Sequence, residues 1–232
     1  MLDKRAEFQR ARRPGEIEAR RVAILGAARG MLLDRPLADI SLRELATEVG
    51  LAKSNVLRYF GSREAIFLEL LNVSWQSWLD GLEVLLQEPL PTDGRPYARE
   101  TAVATRIAES LVSQPMLCEL LSATAAVLER NISLEFAREF KGKAKANNDR
   151  LAAVVAERLP GLPRTAAQQF AAAVLVILSG LWPFANPTDT VAAVSREMGF
   201  PPAAQKFSAG LRSGLAVHLI GLAAQGGTLG SE

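Results

Sequence analysis

ISLRELATEVGLAKSNVLRYFGSRE, residues 40–64, is the stretch whose reading decides the fold. Ser41 followed by Glu44 spells a capping box, in which each side chain satisfies a free backbone N–H at a helix start. Ile40 before the cap and Leu45 at the fourth helical position make a hydrophobic staple. Leu45, Ala46 and Val49 supply a short apolar stripe, and Ala46 is small enough for a second helix to cross closely. Gly50 falls where the chain must reverse, a place that suits the one residue able to take positive φ freely. A second helix then spans about Ala52 to Tyr59. Val56 and Phe60 face inward on it, while Lys53, Ser54, Asn55 and Arg58 are left outward. Lysine, asparagine and arginine are side chains that hydrogen-bond base edges or phosphates in a major groove. Ser62 caps a third helix, with Arg63 and Glu64 in its first turn, and leaves N–H groups suited to a phosphate. The pattern is that of a helix-turn-helix.

The stretch resembles the DNA-binding domain of the TetR/AcrR family of bacterial transcriptional regulators. The likeness begins at Arg21, Ile24, Leu25, Ala27 and Ala28, and continues through Ser41, Arg43, Glu44, Ala46 and Gly50. It closes on Lys53, Tyr59, Phe60, Ser62, Arg63 and Glu64, without a gap from Ser41 onward. One departure is plain: Leu57 stands where the family usually has a phosphate-contacting tyrosine, so that contact is either lost or replaced, with Arg58 the candidate to replace it. Ser54 and Asn55 stand where many members have glycine and threonine. The resemblance implies a DNA-binding set of Ser41, Arg43, Lys53, Ser54, Asn55, Arg58, Tyr59 and Arg63.

Composition and charge agree with a protein that presents one end to DNA. The chain has 232 residues, 49% of them hydrophobic, and a net charge of +2. Up to Ala65 there are 13 basic and 9 acidic residues; the remainder has 14 and 16. A basic end ahead of a slightly acidic body is the electrostatic pattern of a nucleic-acid reader. Lys4, Arg5, Arg10, Arg12 and Arg13 precede any convincing helix and read as a disordered basic arm, either a DNA contact or a solvated tail. Cys118 is alone, which excludes an internal disulfide and a cysteine metal cluster. Acidic and basic residues interrupt the first ten positions, so no signal segment is expected. The longest uninterrupted apolar run, Phe170 to Leu178, is short for a membrane span. The expectation is a cytoplasmic protein with no membrane partner, no metal and no cofactor.

The remainder reads as helix throughout, giving an all-α chain of about nine helices. Its expected divisions are a basic arm over 1–15, a helix-turn-helix domain over 16–62, a ligand-binding and dimerisation domain over 63–225, and a disordered tail over 226–232. Within the body, a long helix runs from Ser62 to about Leu86, and a proline-rich loop follows. Further helices are expected from Tyr97 to Leu111, Pro115 to about Arg130 and Ser133 to Leu159, the last with a solvent-facing polar middle. Thr165 with Gln168 spells a capping box for an apolar helix ending before Pro183. A short helix near Thr188–Met198 and a final one from about Ala203 to Ala224 complete the set. Gly210, Gly214 and Ser208 permit close backbone approach on that last helix.

In the TetR/AcrR family the last two long helices pair with those of a second subunit. The resemblance therefore implies a homodimer seam drawn from Phe170, Val174, Leu178, Phe207, Leu211, Leu215, His218 and Leu222. Plain core is the alternative for these residues. It also implies a small-molecule effector in the body, for which Trp75, Trp78, Leu82, Leu111, Leu117, Cys118, Leu121, Trp182 and Phe184 are candidate pocket residues, though an ordinary helical core would look the same. A dimer would set two reading heads on half-sites about 34–36 Å apart, so the expected target is a pseudo-palindromic duplex operator. Enzymatic chemistry has little support, because the one histidine, His218, sits among leucines and no carboxylate pair stands out. The reading is a dimeric transcriptional regulator, a repressor released by an apolar ligand. Two alternatives stand beside it: a helical regulator acting through a protein partner, favoured by Leu57, and a small helical enzyme or carrier.

Overall fold

The computed structural model describes residues 14–92 and 94–228. The basic arm from Lys4 to Arg13 and the last four residues of the tail lie outside them. Among the described residues there are ten α-helices and no strand. Helix α1 (Pro14–Asp34) ends just ahead of Arg35–Pro36, since a residue preceding proline is driven out of the helical region. A short 3₁₀ turn, Leu37–Asp39, leads to α2 (Leu42–Glu48) and α3 (Lys53–Phe60). Helix α4 (Arg63–Leu86) then carries the chain out of this head into the body.

The local devices of the head follow from single residues. Ser41 Oγ accepts the Glu44 N–H at 3.2 Å, and the Ser41 N–H donates back to Glu44 Oε2 at 2.9 Å, closing the capping box. Gly50 has φ 64°, and the Leu51 and Gly50 N–H groups bond the Ala46 and Thr47 carbonyls at 2.9 and 3.1 Å. That pair of bonds is a Schellman ending, which glycine accommodates without strain. Gly61, at φ 78°, ends α3, and Ser62 Oγ accepts the Ala65 N–H at 3.0 Å to start α4. Ile24, Ala28, Leu37, Ile40, Leu45, Ala46, Val56 and Phe60 are buried together, continuous with Ile66 and Phe67 of α4.

The body comprises α5 (Ala98–Val112), α6 (Pro115–Ala123), α7 (Leu134–Arg158), α8 (Arg164–Ala185), α9 (Asp189–Glu197) and α10 (Ala203–Thr228). Helix α10 lies along α8 and α5, and α7 packs on α8 and α4, so that α4 joins the head to the bundle. Four boundaries differ from those expected. Helix α6 ends at Ala123 and continues as a π turn, Thr124–Leu128. Pro163, not Thr165, stands at the N-cap of α8, so no capping box forms there. Helix α8 also passes through Pro183 to Ala185. Proline removes the N–H that would bond the Ser179 carbonyl, and the Ser122 hydroxyl of α6 donates to that carbonyl instead, at 3.2 Å. Helix α10 extends to Thr228, four residues beyond Ala224.

The polar middle of α7 is divided: Lys141 and Lys145 face solvent as expected, whereas Lys143, Asn147 and Arg150 contact α4. Asn147 Nδ2 donates to Asn72 Oδ1 at 3.1 Å, with both residues buried against α4. Lys143 pairs with Glu69 at 3.2 Å, and Arg150 with Asp80 and Glu83 at 2.8 and 2.6 Å. Two helices, Arg164–Ala185 and Ala203–Gln225, are long and apolar enough to cross a membrane by length and composition alone. Uncharged residues such as Ser179 and Gly180 interrupt the aliphatic run without adding charge, so a search for one unbroken run does not register it.

Candidate nucleic-acid interface

Helix α3 presents the side chains that could read a nucleic acid. Its inward residues, Val56 and Phe60, are buried, which fixes the rotation of the helix and turns Lys53, Ser54 and Arg58 to solvent. Asn55 is half-buried beside Tyr59, Leu51, Glu16 and Arg20, around a cleft of about 200 Å³. None of Lys53, Ser54, Asn55 and Arg58 makes a side-chain hydrogen bond or ion pair with the described residues. Arg43 of α2 is likewise exposed and unengaged. At the N-terminus of α3, Ala52 makes no side-chain cap, so the Lys53 and Ser54 N–H groups have no capping side chain, while the Asn55 N–H bonds the Ala52 carbonyl at 2.9 Å. These side chains and uncapped N–H groups together form a surface of donors with no internal work to do.

The basic residues flanking that surface are held inside the protein. Arg21 Nη1 donates to the Tyr59 carbonyl at 2.7 Å, its guanidinium lies 4.3 Å over the Phe60 ring, and Nη2 pairs with Glu69 at 3.6 Å. Lys143 of α7 shares Glu69, so one carboxylate ties α1, α4 and α7. Arg63 Nε donates to the Ile40 carbonyl at 2.5 Å and Nη2 to the Leu37 carbonyl, while Nη1 pairs with Glu64 at 3.3 Å. Its expected phosphate role therefore needs correcting: the guanidinium is directed into the protein and clamps the turn ahead of α2. The Ser41 hydroxyl is committed in the same way, donating to Glu44 Oε2 at 2.7 Å. Hydrogen bonds from the Ser41 hydroxyl and N–H and from Arg35 hold the Glu44 carboxyl down to about 2. Arg20, which sequence reasoning passed over, lies beside Asn55 and Tyr59 with no partner among the described residues. Its signal was its position, one residue before Arg21 on the helix that crosses α3.

The expected pocket residues do not gather around one cavity. Trp75, Trp78, Leu82, Leu111, Leu117, Cys118 and Leu121 are buried in the body core. The Trp78 indole N–H donates to Ser110 Oγ at 3.0 Å, whereas the buried Trp75 Nε1 has no partner among the described residues. Burial pushes the Cys118 thiol up to about 12, and its Sγ–H faces the Leu111 carbonyl at 3.3 Å. Phe184 is 76% exposed and borders a different cleft, with Val191, Phe200 and Lys206. Trp182 alone of the nine lines the cleft between head and body.

The residues expected at a dimer seam are mostly internal to the single chain. Phe170, Val174, Leu178, Phe207, Leu211, Leu215 and Leu222 are buried within the single chain, where α8 and α10 meet. His218 is half-buried and stacks on Phe170 with ring centroids 6.4 Å apart. The same two helices carry apolar residues on the outer side, Val176 and Val217 being 72% and 69% exposed. Periodicity marks an apolar stripe but does not say which of two apolar faces turns inward.

Comparison with known proteins follows this division of the chain. Residues 24–70 match the family described as bacterial regulatory proteins, tetR family, and residues 73–226 match the tetracyclin repressor-like C-terminal domain. The HTH-type transcriptional regulator EthR of Mycobacterium tuberculosis is 40% identical over 74 residues, 32% of this chain. That match spans 34% of EthR's own length. Two crystal structures share the fold at a TM-score of 0.50: a TetR-family regulator of Mesorhizobium loti, 17% identical, and the TetR family repressor AlkX of a Dietzia species, 16% identical. Each alignment covers 88% of this chain and 96% of the other. With both its head and its body matched, the chain belongs to the TetR family of transcriptional regulators.

Proposed function

We propose that this chain is a cytoplasmic, dimeric, sequence-specific repressor, released from a pseudo-palindromic operator when a small apolar ligand binds its C-terminal domain. The observation that carries the reading is the set of unengaged donors on α3: Lys53, Ser54, Asn55 and Arg58, with Arg43 and Arg20 beside them. Side chains with nothing to hold inside the protein, on the second helix of a helix-turn-helix, are what a major groove requires. The outer apolar residues of α8 and α10 support pairing of two chains, which would give one operator two such helices.

The test is fluorescence anisotropy with duplex DNA from the region upstream of the protein's own gene, over a range of salt. Specific binding should exceed non-specific binding by a factor of about a thousand or more. Lys53→Ala or Asn55→Ala should cost about 1–3 kcal/mol where the residue reads a base, relaxing preference at one position. Arg58→Ala should weaken all sequences alike and reduce the salt dependence by about one phosphate contact. Absence of specific binding even at low salt would overturn the reading.

A further inference from the structure

A cleft of about 600 Å³ lies where the head meets the body, and none of the proposed roles uses it. Its head side is the end of α1 with Asp34, Arg35 and Pro36; its body side is one face of α6, from Pro115 to Ala123, and the end of α8. The walls are mostly apolar, among them Leu32, Met116 and Trp182. Glu119 of α6 is the polar centre. Its Oε2 accepts the Trp182 indole N–H at 2.8 Å, and its Oε1 accepts the Leu37 backbone N–H at 3.4 Å. Both donors are neutral, and Glu119 has no ion pair among the described residues. The one guanidinium on the cleft wall, Arg35, is directed at Glu44 at 2.9 Å. The Glu119 carboxylate therefore lies among mostly apolar walls with no ion-pair partner among the described residues, and Asp34 adds a second carboxylate to the lining.

The geometry points to this cleft as the binding site of a compact organic cation, an ammonium or amidinium on an apolar body, seated on Glu119. A carboxylate has about four lone-pair positions, so two remain for a ligand's N–H groups. Charge-assisted hydrogen bonds in a partly desolvated cleft are stronger than the neutral bonds present. The Trp182 indole and the apolar walls take the ligand's hydrocarbon, and the cleft volume lies within the ordinary range of small-molecule sites.

Occupation has a mechanical consequence. The Leu37–Asp39 turn is held from two sides, its Leu37 N–H by Glu119 of the body and its Leu37 carbonyl by Arg63 of α4. A cation that draws Glu119 toward itself weakens the longer of the two Glu119 bonds and frees the turn from the body. The turn leads directly into the capping box of α2, so the helix-turn-helix moves with it. This last step rests on the DNA-binding reading above; the site itself does not.

The test uses the full chain, with phenylbutylammonium as probe and phenylbutanol as its neutral counterpart, in titration calorimetry. The cation should bind saturably, one per chain, and Glu119→Gln should weaken it by about tenfold or more while changing phenylbutanol affinity by less than about twofold. Glutamine keeps the shape and an acceptor for Trp182, and matched thermal melts confirm that the variant is folded. Met116→Trp, which fills the cleft without removing the charge, should weaken both probes. The site is overturned if wild type shows no saturable cation binding, or if Glu119→Gln leaves cation affinity unchanged. Saturating probe should weaken operator binding by about fivefold or more. Cation binding with operator affinity unchanged overturns the mechanical step, whereas absence of any specific DNA binding overturns the DNA-binding reading and leaves the site standing.

Discussion

At the scale of single residues, two arginines five positions apart have opposite roles. Arg58 extends from α3 with no partner among the described residues, and Arg63 holds the Leu37 and Ile40 carbonyls, stacks 5.0 Å from the Phe67 ring and pairs with Glu64. Removing Arg63 leaves two backbone carbonyls without their charged donor, and bonds of that kind contribute about 1.5–3 kcal/mol each. Arg63→Ala should therefore lower unfolding stability by roughly 2–4 kcal/mol. Arg58→Ala should stay within about 0.5 kcal/mol of wild type. Urea unfolding followed by circular dichroism separates them, and equal effects from both variants would refute the division of roles. The sequence displayed the basic residues but not this difference. Residue type says that a guanidinium can bond a phosphate or a carbonyl, and only the path of the chain brings Leu37 and Ile40 within its reach. The capping box and the Gly50 turn were legible because every partner lies within five residues.

At the scale of elements, legibility falls off with the sequence distance between partners. Helix α7 was found in place, its Ser133 cap accepting the Phe136 N–H at 3.2 Å, yet its polar middle was assigned to solvent. The reason is that Asn147 finds Asn72 on a helix 75 positions away, and a lone helix with a polar stripe looks the same whether water or another helix covers it. The asparagine pair fixes the register of α4 on α7, since any sliding would strand a buried amide. Asn72→Leu should cost about 1–3 kcal/mol, because the Asn147 amide stays buried without an acceptor. The double variant Asn72→Leu/Asn147→Leu should be more stable than that single variant, as both polar groups are then gone. A double-mutant cycle in urea reads this as a coupling energy of about 0.5–3 kcal/mol, and strictly additive effects would show that the pair does not act as a unit. Pro183 illustrates the other limit. Proline ends most helices, and the Ser122 hydroxyl that lets α8 continue past it comes from α6, where no local pattern announces it.

At the scale of the whole molecule, the outer side of α8 and α10 calls for a covering surface. Only 28% and 22% of their most apolar windows are buried within the chain, although both helices already build the body core through their inner sides. An apolar helix surface left to water is unfavourable by about 25 cal/mol for each Å², and the expected occupant is the same surface of a second chain, which a twofold axis makes self-complementary. The seam then centres on Val176 and Val217, with half-buried Leu175, Ile177 and Ile220 around them. Phe170 and Leu215 belong to the inner side, so the two sides can be tested separately. Val176→Glu and Val217→Glu should each give a folded monomer by analytical ultracentrifugation, with the melting behaviour of the single chain largely kept. Phe170→Ala should instead remove about 3–5 kcal/mol of stability whatever the oligomeric state. The glutamate variants should also lose operator affinity by about a hundredfold or more, because tethering two heads makes the second engagement intramolecular. Their unspecific, salt-sensitive binding should persist, since each head keeps Lys53 and Arg58. A chain that sediments as a dimer with both valines replaced by glutamate would place the pairing surface elsewhere, and the Phe184–Phe200 cleft would be the next surface to substitute.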